Sequence, residues 1–427
     1  MSPRKPAAEF GPAGLERLFS PLRRFRHLAL AVSGGSDSTA LMILAAQWQG
    51  PVKFTVLSVD HRLRPQSHDE AVATRDRARS LGFAAHVLTW RAPKAVSGLQ
   101  ARAREARYRL MADWCAKHGA EGVVTAHTLD DQAETLLMRL ARGAGVDGLA
   151  AMEEEHAVYG ARVLRPLLAT TREALRAHLS VRKASFFEDP SNADPSFERI
   201  RFRQAREQLA ALGLKPQSLA LTARRLGRAR QALERAADEL EGRAVEHHAE
   251  GHAIIARAAF EAAPAEIRLR LLVRLLIRIG GASPPPRLSE VEALSAWLAE
   301  TGSGRSRTLG GCRVQKRGAS LIVGREFGRM SARPIRIKPG ETLLWDARYR
   351  ITLERGSGRP MTVVPLGEAK NRKKVARPKS LPDFVFKALP ALVKNGKVAL
   401  VPQIGYRARG DEKSRAEILP VAPSRHN

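Results

Sequence analysis

The stretch running from His27 to Leu44, His-Leu-Ala-Leu-Ala-Val-Ser-Gly-Gly-Ser-Asp-Ser-Thr-Ala-Leu-Met-Ile-Leu, constrains this chain more than any other. Residues 28–32 form an apolar run of strand length, and 40–49 repeats at helical spacing. Between them Ser33, Gly34, Gly35, Ser36, Asp37 and Ser38 crowd small residues onto a helix N-terminus. Glycine tolerates positive φ and close backbone approach, while the unpaired first-turn amides and the helix dipole favour an anion. The natural ligand of such a nest is a phosphate group. Asp37 repels phosphate unless a divalent cation lies between them, so it reads as a Mg²⁺ contact. The loop lacks the G-x-x-x-x-G-K-[ST] pattern, because no lysine follows Gly35. Its charge must then be met by metal and by arginines from elsewhere; a plain helix cap in a serine-rich turn is the competing reading.

Strands and helices alternate through about residue 165, which predicts a parallel, doubly wound sheet. A helix at 14–19 precedes the opening strand. Further strands are expected at 54–60, 84–90, 123–127 and 165–168, with helices at 69–81, 98–114, from 130 to about 142, and 172–179 capped by Thr171. In an open parallel sheet, ligands gather outside the carboxyl ends of the strands. Asp60 and His127 end two of those strands; Asp60 points at the same mouth as Ser33, where it can accept from an adenine amino group or a ribose, with a plain turn cap as the competing reading. On the helix 98–114 an apolar face of Leu99, Ala103, Ala106, Leu110 and Trp114 leaves Arg104 and Arg107 projecting together. Paired guanidiniums suit a triphosphate, although a solvated basic face has the same spacing. Asp130, Asp131 and Glu134 open the next helix as a carboxylate cluster. Capping needs one acid; three can hold Mg²⁺ or an ammonium group.

Beyond a basic helix at 197–209, helices are expected at 215–242, 267–279 and 289–300, the last after Pro284-Pro285-Pro286. Arg224, Arg225, Arg228 and Arg230 lie on the outer face of the first. A hairpin follows at 310–324, and then short strands with the basic run from Lys370 to Lys374. At 427 residues the chain is too long for one ordinary core. The division expected is 1–212, a catalytic domain; 213–330, a helical middle domain; and 331–427, a small β-rich domain. A formal charge of +29 calls for a polyanion, most often nucleic acid. Cys115 and Cys312 form neither a CxxC nor a disulfide framework. With no apolar leader and no run of about 18 apolar residues, a cytoplasmic protein with no membrane association is expected.

The loop resembles the pyrophosphate-binding loop of the ATP-pyrophosphatases, whose fold is the adenine nucleotide alpha hydrolase-like α/β sheet. Taken in order, Ser33 to Ser38, Asp60-His-Arg-Leu-Arg64, Ala103-Arg-Glu-Ala-Arg-Tyr108, Ala126-His127, Asp130-Asp-Gln-Ala-Glu-Thr135, Arg142-Gly143 and Glu188-Asp-Pro-Ser-Asn192 resemble the tRNA(Ile)-lysidine synthase family. Leu309-Gly-Gly-Cys-Arg-Val, the segment 379–390 and the segment 398–405 resemble that family's middle and C-terminal domains. Two positions depart from its pattern. His127-Thr128 stands where the family carries two histidines, and Arg199-Ile200-Arg201 where it carries Arg-Asn-Arg.

The resemblance implies a ligase that adenylates C2 of the wobble cytidine of tRNA(Ile) with a CAU anticodon, using ATP. Free L-lysine then displaces AMP and leaves lysidine. It assigns Ser33, Gly34, Gly35, Ser36 and Ser38 to the pyrophosphate portion, with Asp37 carrying Mg²⁺. Asp60 and His127 line the nucleotide site, with His127 also a candidate base, against the competing reading of a packed histidine. Arg104 and Arg107 contact phosphate or adenylate. Asp131 and Glu134 bind the lysine ammonium, and Asp130 aids metal or cytidine binding. It leaves a homodimer open. The rival within the superfamily is a tRNA cytidine thiolase, which needs reactive cysteines.

Overall fold

The computed structural model describes residues 9–91, 99–188, 194, 196, 198–281, 285–300, 302–330 and 333–421, with the side chains of 99–101 excepted. Gly98, the segment 189–192, Phe197 and Pro284, which figured in the expectations above, lie outside the described residues, as do 1–8. The chain forms two compact units, Met1–Arg230 and Gln231–Ser424.

The first unit is built on a six-stranded sheet: β1 (His27–Ala31), β2 (Lys53–Asp60), β3 (Ala84–Thr89), β4 (Val123–Val124), β5 (Glu155–Val158) and β6 (Ala161–Leu164), in the order β3-β2-β1-β4-β6-β5. β1 pairs in parallel with β2 and β4, β2 with β3, and β4 with β6. The edge strand β5 is antiparallel and was not anticipated. The strand expected at 165–168 lies earlier, at β6, because Pro166 lacks the N–H a ladder needs. β4 is only two residues long, and the chain to His127 is loop.

The helix Ser36–Gln47 follows β1 and is buried continuously from Ser38 to Ala45, so it reads as a core helix without a polar face. Leu28, Leu30, Leu41, Leu44 and Val56 share its core. The helix Leu99–His118 covers the other face of the sheet through Ala103, Tyr108, Met111, Trp114 and Cys115. That buried stripe differs from the expected one in its middle, where Tyr108 and Met111 replace Ala106 and Leu110. The expected basic helix is two, Glu198–Gln204 and Arg206–Ala211.

The second unit is less helical than the sequence suggested. Its helices Ala265–Gly280 and Leu288–Ala299 pack on a five-stranded antiparallel sheet of β7 (Val245–His248), β8 (His252–Ala256), β9 (Ser306–Leu309), β10 (Cys312–Arg317) and β11 (Ser320–Arg325). The first of these helices ends on Gly281 at φ +61, where a Cβ would stand 2.8 Å from the Asp346 carbonyl oxygen, so the turn requires glycine. A second five-stranded sheet and a three-stranded one complete residues 335–420. Among the described residues no helix is long and apolar enough to cross a membrane.

Candidate active site

The loop after β1 is open at the helix N-terminus. Gly35 occupies the cap position with no side chain bonded there, leaving the first-turn amides without a protein cap. Gly34 sits at φ +86, and a Cβ on it would meet the Thr74 hydroxyl at 2.6 Å and the Phe187 ring at 2.8 Å. Its carbonyl accepts from Phe187 N–H at 2.9 Å and from the Thr39 hydroxyl at 3.2 Å, which pins the bend. Gly35 has an ordinary φ of −72, and the atom nearest to an added Cβ is 3.7 Å away, so its role is space rather than backbone conformation. The Ser33 and Ser38 hydroxyls lie 3.2 Å apart. Ser33 is exposed and Ser36 half-buried.

Asp37 lies in the first turn. Its Oδ1 accepts from the Ser36 hydroxyl at 3.2 Å and its Oδ2 from Arg172 Nε at 3.0 Å. Burial holds its pKa above the ordinary carboxylate value in spite of Arg172. The Asp131 charge adds to this, and Arg172 is shared: its Nη2 pairs with Asp131 at 3.0 Å and its Nη1 with Glu134 at 3.3 Å. Its backbone N–H donates to Asp130 at 2.8 Å. These carboxylates raise the Arg172 pKa against the cost of burial.

The acidic cluster comes from the first turn of the helix Leu129–Ala141. Thr128 caps it, accepting from Asp131 N–H at 3.3 Å, while Asp131 Oδ2 accepts from Thr128 N–H at 2.8 Å and its hydroxyl at 2.9 Å. Thr128, at the departure from the family's two histidines, therefore fixes Asp131. Burial pushes Asp131 up, but Arg172 and the Thr128 N–H outweigh it and hold the carboxyl below its usual value. Glu134 is gripped by Arg203 at 3.0 and 3.2 Å and by Arg199 at 3.4 Å, and Asp130 meets Arg206 at 3.2 Å. Among the described residues no three His, Cys, Asp or Glu side chains form a metal-binding group. Asp130, Asp131 and Glu134 each face arginine, as Asp37 does.

Asp60 differs from its expected role. It is fully buried, and both oxygens are taken by its own loop: Oδ1 by Arg62 N–H and the Ser67 hydroxyl, each at 2.9 Å, and Oδ2 by His68 at 3.1 Å. Burial would raise its pKa, yet these partners lower it. Asp60 shapes the 61–68 loop and does not present its carboxylate to the mouth.

His127 is half-buried, with Nδ1 2.8 Å from the Thr125 hydroxyl. Burial pushes its pKa down to about 3, so the imidazole is neutral near pH 7 and too weak a base to take a proton from an ammonium. Arg104 and Arg107 flank the buried Tyr108 ring at 5.3 and 5.2 Å, and burial lowers the Arg107 pKa.

The sequence reading missed Arg172, Arg203 and Arg206. The signal was present, since 199, 203 and 206 share a helical face by spacing and Arg172 follows a cap. Asp130, Glu134, Arg172, Arg203 and Arg206 form the polar lining of a pocket whose apolar walls include Leu137, Phe202 and Leu219. Of the two arginines around Ile200, Arg199 reaches the cluster, whereas Arg201 donates to the Ser196 carbonyl.

A family model described as "PP-loop domain" matches residues 12–209. A tRNA(Ile)-lysidine synthase from Bradyrhizobium sp. strain BTAi1 is 41% identical over 345 residues, covering 77% of this chain and 96% of that protein. One from Wolbachia pipientis wMel is 31% identical and covers 92% of each chain. The structure of the U34-tRNA thiolase NcsA from Methanococcus maripaludis, with its [4Fe-4S] cluster, aligns with a TM-score of 0.44 at 15% identity, over 52% of this chain and 80% of that one; a likeness so slight bears on no functional question.

Proposed function

The chain belongs to the tRNA(Ile)-lysidine synthase family, a family of enzymes, and from that premise we propose that it joins L-lysine to C2 of the wobble cytidine of CAU-anticodon tRNA(Ile), consuming ATP and releasing AMP and pyrophosphate. The reaction forms a carbon–nitrogen bond and takes place in the cytoplasm. The observation that carries the reading is the open nest after β1 beside the acidic cluster that follows β4.

Ser33 to Ser38 hold the β- and γ-phosphates through first-turn amides and hydroxyls. Asp37, one carboxylate beside the Ser36 hydroxyl, fits Mg²⁺, which binds through one or two carboxylates plus substrate phosphates. When bound there, the ion offsets charge on the phosphates as the α–β bond breaks. Arg104 and Arg107 contact the α-phosphate or the adenylate. Their stacking on Tyr108 orients them, and an anionic ligand compensates the burial of Arg107. The cytidine C2 oxygen attacks the α-phosphorus, and pyrophosphate leaves. The lysine amine, in its neutral form, then attacks C2, the C2–O bond to AMP breaks, the new nitrogen gives its proton to the departing phosphate or to solvent, and lysine's other ammonium rests on Asp131 and Glu134. The pocket's apolar walls suit a (CH₂)₄ stem. Unstacking a base in an anticodon loop costs little. Asp130 fixes the Arg172 backbone, and neutral His127 lines the nucleotide site. The division at 1–212, 213–330 and 331–427 is kept as a proposal, in which the last two parts bind the tRNA body.

The rival thiolase reading is disfavoured by the cysteines. Cys115 and Cys312 are buried, which pushes their thiols up to about 11 and about 12 and keeps them protonated. Pyrophosphate exchange tests the first half of the proposal. Label should pass from pyrophosphate into ATP only when a CAU tRNA(Ile) is present. Exchange that proceeds with lysine and no tRNA would mean that the amino acid is adenylated instead, and the proposed order of steps would be wrong.

A further inference from the structure

We propose that Arg172 is an internal stand-in for the reaction's cations, a positioning residue that holds Asp37, Asp131 and Glu134 until nucleotide arrives and so makes lysine binding depend on it. This rests on the assignment of Asp37 to metal and of Asp131 and Glu134 to the lysine ammonium. Arg172 spends three separate N–H groups on three carboxylates, at 3.0, 3.0 and 3.3 Å. Its main chain is anchored independently, by the bond to Asp130 and by its place after the Thr171 cap. The head can therefore leave while the backbone stays.

Charge counting then sets the order. Asp37, Asp130, Asp131 and Glu134 face Arg172, Arg199, Arg203 and Arg206, so the site is already balanced, four against four. A lysine ammonium entering this balanced site adds an uncompensated charge, and it competes with Arg172 for the same two oxygens. A divalent cation at Asp37 repels the guanidinium, while the phosphates that come with it offer bidentate acceptors. Moving the Arg172 head to phosphate frees Asp131 Oδ1 and removes one of the two arginines on Glu134 Oε1. Glu134 stays in place because Arg203 and Arg199 still hold it, and Asp131 stays because Thr128 does. The cluster is thus built to survive the departure of one arginine, and Arg172 touches both the metal-side acid and the lysine-side acids.

Calorimetric titration of L-lysine into the full chain tests this, with and without α,β-methylene ATP and Mg²⁺. The wild type should bind lysine at least about tenfold more tightly with the nucleotide analogue, on the scale of one charge-assisted hydrogen bond. Arg172→Gln should bind it about tenfold more tightly than wild type without nucleotide, and the dependence on the analogue should disappear. A variant that binds lysine more weakly in both conditions, or that keeps the wild-type dependence, overturns the proposal while leaving the acid assignments standing. Wild type that binds no lysine even with the analogue overturns those assignments, and the proposal with them. Should Arg172→Gln fail to fold, the wild-type arginine Nε–H resonance missing from Arg172→Lys carries the test. It should change chemical shift on adding the analogue with Mg²⁺, as the N–H exchanges carboxylate for phosphate; an unchanged resonance overturns the proposal.

Discussion

At the scale of single residues, the proposal is tested at Gly34 and Asp37. Gly34→Ala forces an L-residue to φ +86 and drives a methyl into Thr74 and Phe187. The backbone term alone is about 1–2 kcal/mol, so nucleotide affinity should collapse while tRNA affinity, read by filter binding, changes less than about twofold on the surface-substitution scale. Asp37→Ala should abolish AMP formation, again with tRNA affinity intact; equal loss of both would make Asp37 a structural residue. The glycine–serine run was legible in the sequence because its residue types have few other uses beside a strand and a helix. Asp60 was not. A carboxylate ending a parallel strand has the same sequence signature whether it faces a ligand or, as here, folds back onto Arg62, Ser67 and His68.

At the scale of elements, the helix Leu129–Ala141 is positioned by its capping box. Thr128→Ala removes one partner of Asp131 and should cost about 1 kcal/mol, seen as a fall of about 2–4 °C in the melting of the first unit. The fall in lysine affinity should be larger than that in ATP affinity, since the proposal sets the lysine ammonium on Asp131. Arg224, Arg225 and Arg228 are exposed on the helix Pro216–Ala244, whereas Arg230 is buried against Glu153. Reversing the three exposed charges should weaken tRNA binding and lower the slope of log affinity against log salt by about one for each phosphate no longer neutralised. Arg230→Glu should instead destabilise the fold. Sequence spacing put all four on one outer face; only the tertiary partner Glu153 separates Arg230 from the rest. The β7–β8 hairpin escaped notice for a related reason. Val245 to Ala256 is short, rich in His and Glu, and becomes strand by pairing with β11, a pairing that no local pattern reports.

At the scale of the whole molecule, buried neutral histidines govern the response to acid. Burial lowers His127 to about 3, and His178 and His252 to about 4, from an ordinary 6.5. Below pH 6.5 the unfolded chain takes up protons that these folded histidines refuse, so stability falls as pH drops from 6.5 toward 4. Depressed carboxylates add a second loss, Glu234 and Glu241 below their ordinary 4.5 and Asp60 and Asp131 below 3.8. Melting temperature followed against pH should therefore decline in two stages. Exchanging His127, His178 and His252 for glutamine should reduce the upper stage, to which His27 and His61, also lowered by burial, still contribute, and should leave the lower stage unchanged.

The central claim is that the nest and the acidic cluster together place lysine on a tRNA base. Nucleoside mass spectrometry of CAU tRNA(Ile), incubated with the protein, ATP, Mg²⁺ and isotope-labelled L-lysine, tests it most directly. Labelled lysidine should replace cytidine at the wobble position, and elongator tRNA(Met) should be left unmodified. An unaltered wobble cytidine, or lysine carried equally by both tRNAs, would contradict it.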